Sequence, residues 1–322
     1  IEAYNISVKA HDEKFMRARF EESAVRLLKN IFRTGLFENP YLDPAVSKTI
    51  VGKSEFMKAG YDAQLKSMVL LKNKSNVLPL QKMKTVYVPK QFTPAGRNFL
   101  GMETPEKLDY PVNMNIVKKY FNVTDNPDEA DYALVFINSP ANGNGYSKED
   151  VKAGGNGYLP ISLQYGPYTA TDARATSMAG GDKFENFTNR SYKDKSFTAS
   201  NTTDLAMVTE AFAKMKGKPV IVSVNVSNPM VFAEFEKDAS AILVNFGVQD
   251  QAILEMLAGN AEPSGLLPLQ MPASMQVVEK QNEDVPLDMQ CYKDSEGHVY
   301  DFAYGLNWKG IIKDARTTKY KK

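Results

Sequence analysis

The sequence predicts an α/β fold built on a mostly parallel sheet. Four short apolar runs rich in β-branched residues support this: Thr85–Val88, Tyr132–Ile137, Val220–Val226 and Ala241–Phe246. They are near-continuous rather than alternating, as strands covered on both faces are. Helix-forming segments lie between or after them, over residues 114–121, 205–215, 230–235 and 249–257. Strand–helix alternation of this kind closes into parallel βαβ crossovers.

Ahead of the sheet, residues 12–33 read as an amphipathic helix, with Phe15, Ala18, Val25, Leu28 and Phe32 near helical spacing and Arg and Glu between them. Gly35 suits its end. Residues 34–44 (TGLFENPYLDP) then run extended, because their two prolines disfavour helix. A second helix is expected from Ser54 to Lys72, packing through Phe56, Leu65, Val69 and Leu70. Within the sheet region, Asp204 is expected to N-cap the helix that follows it, and Gly217 and Gly259 to end helices. Residues 139–203 break the rhythm, being rich in Gly, Asn, Ser, Thr and Tyr. A long irregular insertion is functional or disordered. One that follows Ile137 belongs at the carboxyl edge of the sheet, where open α/β sheets bind ligands.

Composition excludes several function classes. The 322 residues suit one large or two ordinary domains, and 43% hydrophobic content can supply a sizeable core. A net charge of +1 argues against a nucleic-acid partner. Cys291 is the only cysteine, so neither an intrachain disulfide nor a thiolate metal cage can form. His11 and His298 are the only histidines, and His298 lies in an apparent hairpin turn (DSEGH), so no metal site is expected. Gly154–Gly157 (GGNG) lacks the preceding strand and the GK(S/T) ending of a phosphate loop, so no nucleotide cofactor is expected. No apolar run reaches the roughly 18 residues of a membrane span. The start at Ile1 reads as the edge of a fragment or of a processed chain.

Five blocks, in order, resemble glycoside hydrolase family 3 beyond its catalytic barrel. Residues 26–44 (RLLKNIFRTGLFENPYLDP) resemble the connector that leaves the barrel. Residues 66–80 (KSMVLLKNKSNVLPL) resemble the opening of the C-terminal domain. Residues 218–226 (KPVIVSVNV) with Asn228–Met230, residues 254–268 (LEMLAGNAEPSGLLP) and residues 300–306 (YDFAYGL) resemble its later strand, turn and closing segments. The resemblance implies a three-layer α/β sandwich around a six-stranded, mostly parallel sheet. It divides the chain into a helical connector (1–66), a sandwich domain (67–314) with an active-site insertion (139–203), and a tail (315–322). It also implies a missing N-terminal (β/α)8 barrel as partner domain, an oligosaccharide or β-glycoside substrate, no cofactor, and export to the periplasm or beyond.

The family's enzymes are retaining exo-β-glycosidases, which need a nucleophile and an acid/base about 5–5.5 Å apart. The resemblance places the nucleophile on the barrel and the acid/base, a Glu, in an "SGEGY"-like loop of the sandwich. Here that loop reads Ala141–Tyr146 (ANGNGY), with Asn144 at the acid position. An amide cannot protonate a leaving oxygen. Glu149 and Asp150 are the nearest carboxylates and become the acid/base candidates, Glu149 preferred for its reach. Asn144 can instead hydrogen-bond a sugar hydroxyl, and Tyr146 and Tyr158 can stack on a sugar face or pack within the loop. The main expectation is the sandwich half of a β-glucosidase-like enzyme. A non-catalytic carbohydrate-binding or interaction module of a degenerate hydrolase is the alternative. A flavodoxin-like ligand-binding protein is a third reading, against which the missing phosphate loop stands.

Overall fold

Four helices lead the chain: α1 (Glu2–His11), α2 (Glu13–Arg33), α3 (Pro44–Ile50) and α4 (Ser54–Ser67). The computed structural model describes residues 1–80, 83–97, 101–175, 190–282 and 285–320. The chain divides into two compact units, residues 1–60 and 61–322. In the first, Asp12 caps α2 by accepting from Phe15 N at 2.8 Å, and Asp43 caps α3 by accepting from Ala45 N at 2.8 Å, with Pro44 at the first helical position. Gly35, at φ 70°, follows the last turn of α2. No residue of this unit is buried. Phe15, Phe20, Leu27 and Phe32 of α2 all face solvent.

The second unit is organised by one eight-stranded sheet. Its strands, numbered here in chain order, are β1 (Val69–Asn73), β2 (Thr85–Tyr87), β3 (Asn122–Thr124), β4 (Tyr132–Asn138), β5 (Val220–Asn225), β6 (Ala241–Asn245), β7 (Leu306–Asn307) and β8 (Gly310–Ile311). The spatial order is β8-β7-β1-β6-β5-β4-β2-β3. From β6 to β3 the strands are parallel, and β1, β7 and β8 add antiparallel pairings. The α/β class and the four expected strands are therefore present. Helices α5 (Met114–Val117) and α7 (Thr202–Met215) form expected crossovers, α8 (Asp250–Leu257) follows β6 as expected, and two short 3-10 turns, Phe232–Glu234 and Glu236–Asp238, lie between β5 and β6, where a helix over 230–235 was expected.

The sheet is larger than six strands. The expected helix over 54–72 stops at Ser67, and Val69–Asn73 is a strand between β6 and β7. The reason is enclosure: Met68, Val69, Leu70, Leu71 and Lys72 are all 0% exposed. A run buried all round has no solvent face for helical periodicity to mark. Lys72 is accommodated by an ion pair. Its Nζ lies 2.6 Å from Glu236 Oε1 and donates to Glu236 O at 2.8 Å and Ser295 Oγ at 2.9 Å. Glu236 also accepts from Tyr292 OH at 2.8 Å and from Ser295 N and Oγ. Burial pushes the Glu236 carboxyl up, but the bonds from Lys72, Tyr292 and Ser295 outweigh it and hold it below its ordinary value.

Gly265, which follows Pro263 and Ser264, packs directly on β1: a Cβ there would strike the Met68 carbonyl oxygen. One core cluster runs from Met68 to Leu306 and joins β1, β2, β4, β5 and β6 to the inner faces of α7 and α8. A smaller cluster, around Tyr168, Val231 and Met275, lies under the long insertion.

Candidate functional site

The insertion leaves the carboxyl end of β4 and is pinned at its base. Asn201 Nδ2 donates to Ser139 O at 3.1 Å, and Asn201 Oδ1 accepts from Ala141 N at 2.6 Å. Asn142 bridges to Ser162 in both directions, donating to its carbonyl at 2.6 Å and accepting from its N–H at 3.0 Å. The base of the insertion is thus held by amide side chains, which accounts for Asn142 and Asn201 in its sequence.

Asn144 Oδ1 accepts from Tyr146 N at 3.2 Å and turns the chain. Ser147 caps the short helix α6 (Lys148–Lys152) by accepting from Asp150 N at 3.2 Å. Gly157 N and Lys195 Nζ each donate to Asp150 at 2.7 Å, and Lys195 also reaches Asn156 Oδ1 at 2.6 Å. Tyr146 and Tyr158 form a β-bridge, their rings 5.8 Å apart and edge to face. Gly157, at φ 85°, sits under this pair, where a Cβ would collide with the Tyr146 ring.

The two candidate acids share an electrostatic bias. The backbone N–H of its own helix start, then the Ser147 hydroxyl, lowers the Glu149 carboxyl. The Lys195 ammonium, then Gly157 N–H, lowers Asp150. Both are stabilised as carboxylates, the opposite of what a proton donor near neutral pH needs. Glu149 is exposed, whereas Asp150 is half-buried and tied into the loop.

A cavity of about 630 Å³ opens beside the loop. Asn144 and Tyr158 line it, together with Arg174, Tyr192 and Glu279, whereas Tyr146, Glu149 and Asp150 do not. Glu279, on α9 (Met275–Lys280), is 8% exposed and accepts from Tyr168 OH at 2.9 Å and Tyr192 OH at 3.1 Å. Burial, then Glu279, raises the Tyr168 phenol.

The Glycosyl hydrolase family 3 C-terminal domain model matches residues 68–308. The chain belongs to this family. It is 28% identical over 290 residues to a probable beta-glucosidase C of Aspergillus flavus, covering 90% of this chain and 35% of that protein. It is 26% identical to a periplasmic beta-glucosidase/beta-xylosidase of Dickeya chrysanthemi, covering 92% of this chain and 35% of that protein. The chain therefore spans about a third of the length of these curated relatives. A crystal structure of a beta-glucosidase from Listeria innocua in complex with isofagomine shares the fold, with a TM-score of 0.50 and 15% identity over 92% of this chain and 41% of that chain.

In this family 3 domain, sequence reasoning missed two buried carboxyls. Glu279 gave no motif, and its tyrosine partners lie 111 and 87 residues away. Asp204 was read as a helix cap, but α7 starts at Thr202 with Asn201 at the cap, and Asp204 lies one turn in, 1% exposed. Its carboxylate instead accepts from Gln91 Nε2 at 2.6 Å, Asn201 Nδ2 at 3.0 Å and Asn138 N at 3.1 Å. Burial raises it despite those bonds. His298 does lie in a turn. Asp294 accepts from the N–H groups of Glu296 and His298 and is bonded to the His298 ring at 3.1 Å, so the acidic atoms near this histidine hold the turn.

Proposed function

We propose that this chain is the sandwich part of a retaining exo-β-glycosidase of the β-glucosidase type. It supplies one wall of the sugar pocket, and a preceding barrel domain supplies the nucleophile. The observation that carries this reading is the 630 Å³ cavity beside an insertion at the carboxyl end of β4, lined by Asn144 and Tyr158, in a family 3 domain. Asn144 serves as a hydrogen-bonding group for a sugar hydroxyl and Tyr158 as an apolar face. Tyr146 braces Tyr158 and presents its own exposed edge. Glu149 is the acid/base: its exposed carboxylate is bonded to Ser147 Oγ at 3.2 Å, and a sugar and second domain closing over it would strip its water and raise its pKa. Asp150 holds the loop that carries it. The exposed apolar residues of α2 support a partner domain on the connector. The Dickeya relative's periplasmic name supports an exported enzyme, and no helix among the described residues is long and apolar enough to cross a membrane.

The test uses the chain alone and the protein extended upstream, assayed on aryl β-glycosides. The extended protein turns over and the chain alone does not. Glu149→Gln in the extended protein lowers kcat by about 10²–10⁴-fold, while Asp150→Asn has a smaller effect. Turnover by the chain alone overturns the split site. Asn144 at the acid position, with both nearby carboxyls held ionised, favours one second reading, a non-catalytic sugar-binding module. An extended protein that binds glycosides without cleaving them would establish it.

A further inference from the structure

The five parallel strands run β3-β2-β4-β5-β6, so the direction of strand addition reverses between β2 and β4. At such a switch point successive crossovers leave on opposite faces, and a crevice opens beyond the carboxyl ends of the strands. Here a chamber of about 150 Å³ occupies that place. It is lined by Gln91 past β2, Asn138 ending β4, Ser223 and Asn225 on β5, Asn245 ending β6 and Asp250 opening α8. It shares no lining residue with the cavity beside the insertion.

Three carboxamides form a row. Asn225 pairs in register with Asn138 on one side and Asn245 on the other, and its Nδ2 donates to Asn138 Oδ1 at 3.1 Å. Asn245 is fixed by its own strand end, donating to Val224 O and accepting from Gly247 N. Asp204 locks the rim from below, through Gln91 Nε2 and Asn138 N. One step behind the row, on the same face as Asn225, lies Ser223. It is 3% exposed, and its hydroxyl has no hydrogen-bond partner among the described residues. A buried hydroxyl left unpaired is costly, and a site built around one calls for a polar occupant.

The chemistry selects the occupant. Among the described residues no Lys, Arg or His lines the chamber, which disfavours phosphate and carboxylate. Asp204 accepts from three donors and does not line the chamber, and Asp250 accepts from Asn113 N at 2.8 Å. Beside apolar walls from Phe136, Ile137, Val248 and Ile253, the polar groups that remain are carboxamides and a hydroxyl, which both donate and accept, and their natural complement is a hydroxyl-bearing molecule. The volume corresponds to about five waters at roughly 30 Å³ each, room for one edge of a single ring.

We propose that the chamber at the β2/β4 switch point is a binding site for a neutral polyhydroxylated ligand, one sugar unit entering by its hydroxyl edge against Ser223, Asn225 and Asn138. It does not depend on the hydrolytic reading, because every residue it uses is in this chain and binding is its readout. The test is amide chemical-shift titration of the ¹⁵N-labelled full chain with glucose, with a β-linked glucose disaccharide and with inorganic phosphate. Saturable shifts are expected at residues 138, 223–225 and 245–247, with a millimolar Kd. Equal binding of both sugars assigns the site to a free or terminal unit, and binding of the disaccharide alone assigns it to an oligosaccharide end. Ser223→Ala weakens binding about fivefold, the size of one lost hydrogen bond, without moving the rest of the spectrum, and Asn225→Leu abolishes it. Absence of saturable shifts with either sugar at about 100 mM, a hundredfold above a 1 mM Kd, overturns the proposal. So does phosphate acting at the same amides, or an unchanged affinity in Ser223→Ala.

Discussion

At the scale of single residues, the sharpest tension in the molecule is Lys72 in the middle of an apolar strand. It is 0% exposed, and its partner Glu236 is 1% exposed. Removing one member of a buried pair leaves the other charged and unpaired, which costs more than the pair contributes. Lys72→Met should therefore destabilise the chain by about 3–5 kcal/mol, read from urea unfolding. The carboxyl also sets an acid limit. Its folded pKa lies below its ordinary value of 4.5, so the unfolded chain binds the proton more readily. The stability it contributes is present above that value and is lost as pH falls through the folded pKa. In Lys72→Met burial is less opposed, the carboxyl titrates higher, and acid unfolding should begin at a higher pH than in the parent chain. An unshifted acid midpoint would remove Glu236 as the responsible group.

At the scale of elements, the loop that carries Asn144, Glu149 and Tyr158 is a structure in its own right. Gly157 at φ 85°, the Tyr146–Tyr158 bridge and the Asp150–Lys195 pair fix it. Gly157→Ala both strains the backbone and drives a methyl into the Tyr146 ring. Amide exchange at Ser147 and Leu159, whose N–H groups bond across the loop to Gly157 O and Gly145 O, should accelerate by one to two orders of magnitude, for a local cost of about 1–3 kcal/mol. Exchange in β4 and β5 should stay unchanged. Much of this level was legible in the sequence. The β-branched runs marked β2, β4, β5 and β6 because parallel strands buried on both faces leave that signature. Val69–Asn73 was not legible as a strand, since Leu-rich segments buried all round fit helix and strand equally. The two-residue strands β7 and β8 are too short for any pattern. The insertion was legible by its composition and its place after β4, but the Glu279–Tyr168–Tyr192 cluster and the Asn138–Asn225–Asn245 row arise only from register and distant pairing, which no local spacing encodes.

At the scale of the whole chain, the distribution of burial separates the two units. Every residue of the main core cluster lies between Met68 and Leu306, and no residue of the first 60 is buried. Cooperative stability follows the burial of apolar surface, so it should reside almost wholly in residues 61–322. The helices of the first unit rely on caps at Asp12 and Asp43 and on exposed ion pairs such as Arg17–Glu21, each worth at most about 1 kcal/mol. A chain that begins at Ser54, keeping α4 intact, should retain the cooperative unfolding transition with a midpoint within a few degrees of the full chain, since about 1 kcal/mol moves the midpoint of a large domain by only about 2–4 °C. Helical circular dichroism should fall by the contribution of α1, α2 and α3, and the slope of the urea transition should barely change, because little buried surface is lost. Loss of the cooperative transition in the shortened chain would mean that the sheet domain draws stability from residues of which none is buried, and the division at Gly60 would then have to be abandoned as an energetic boundary.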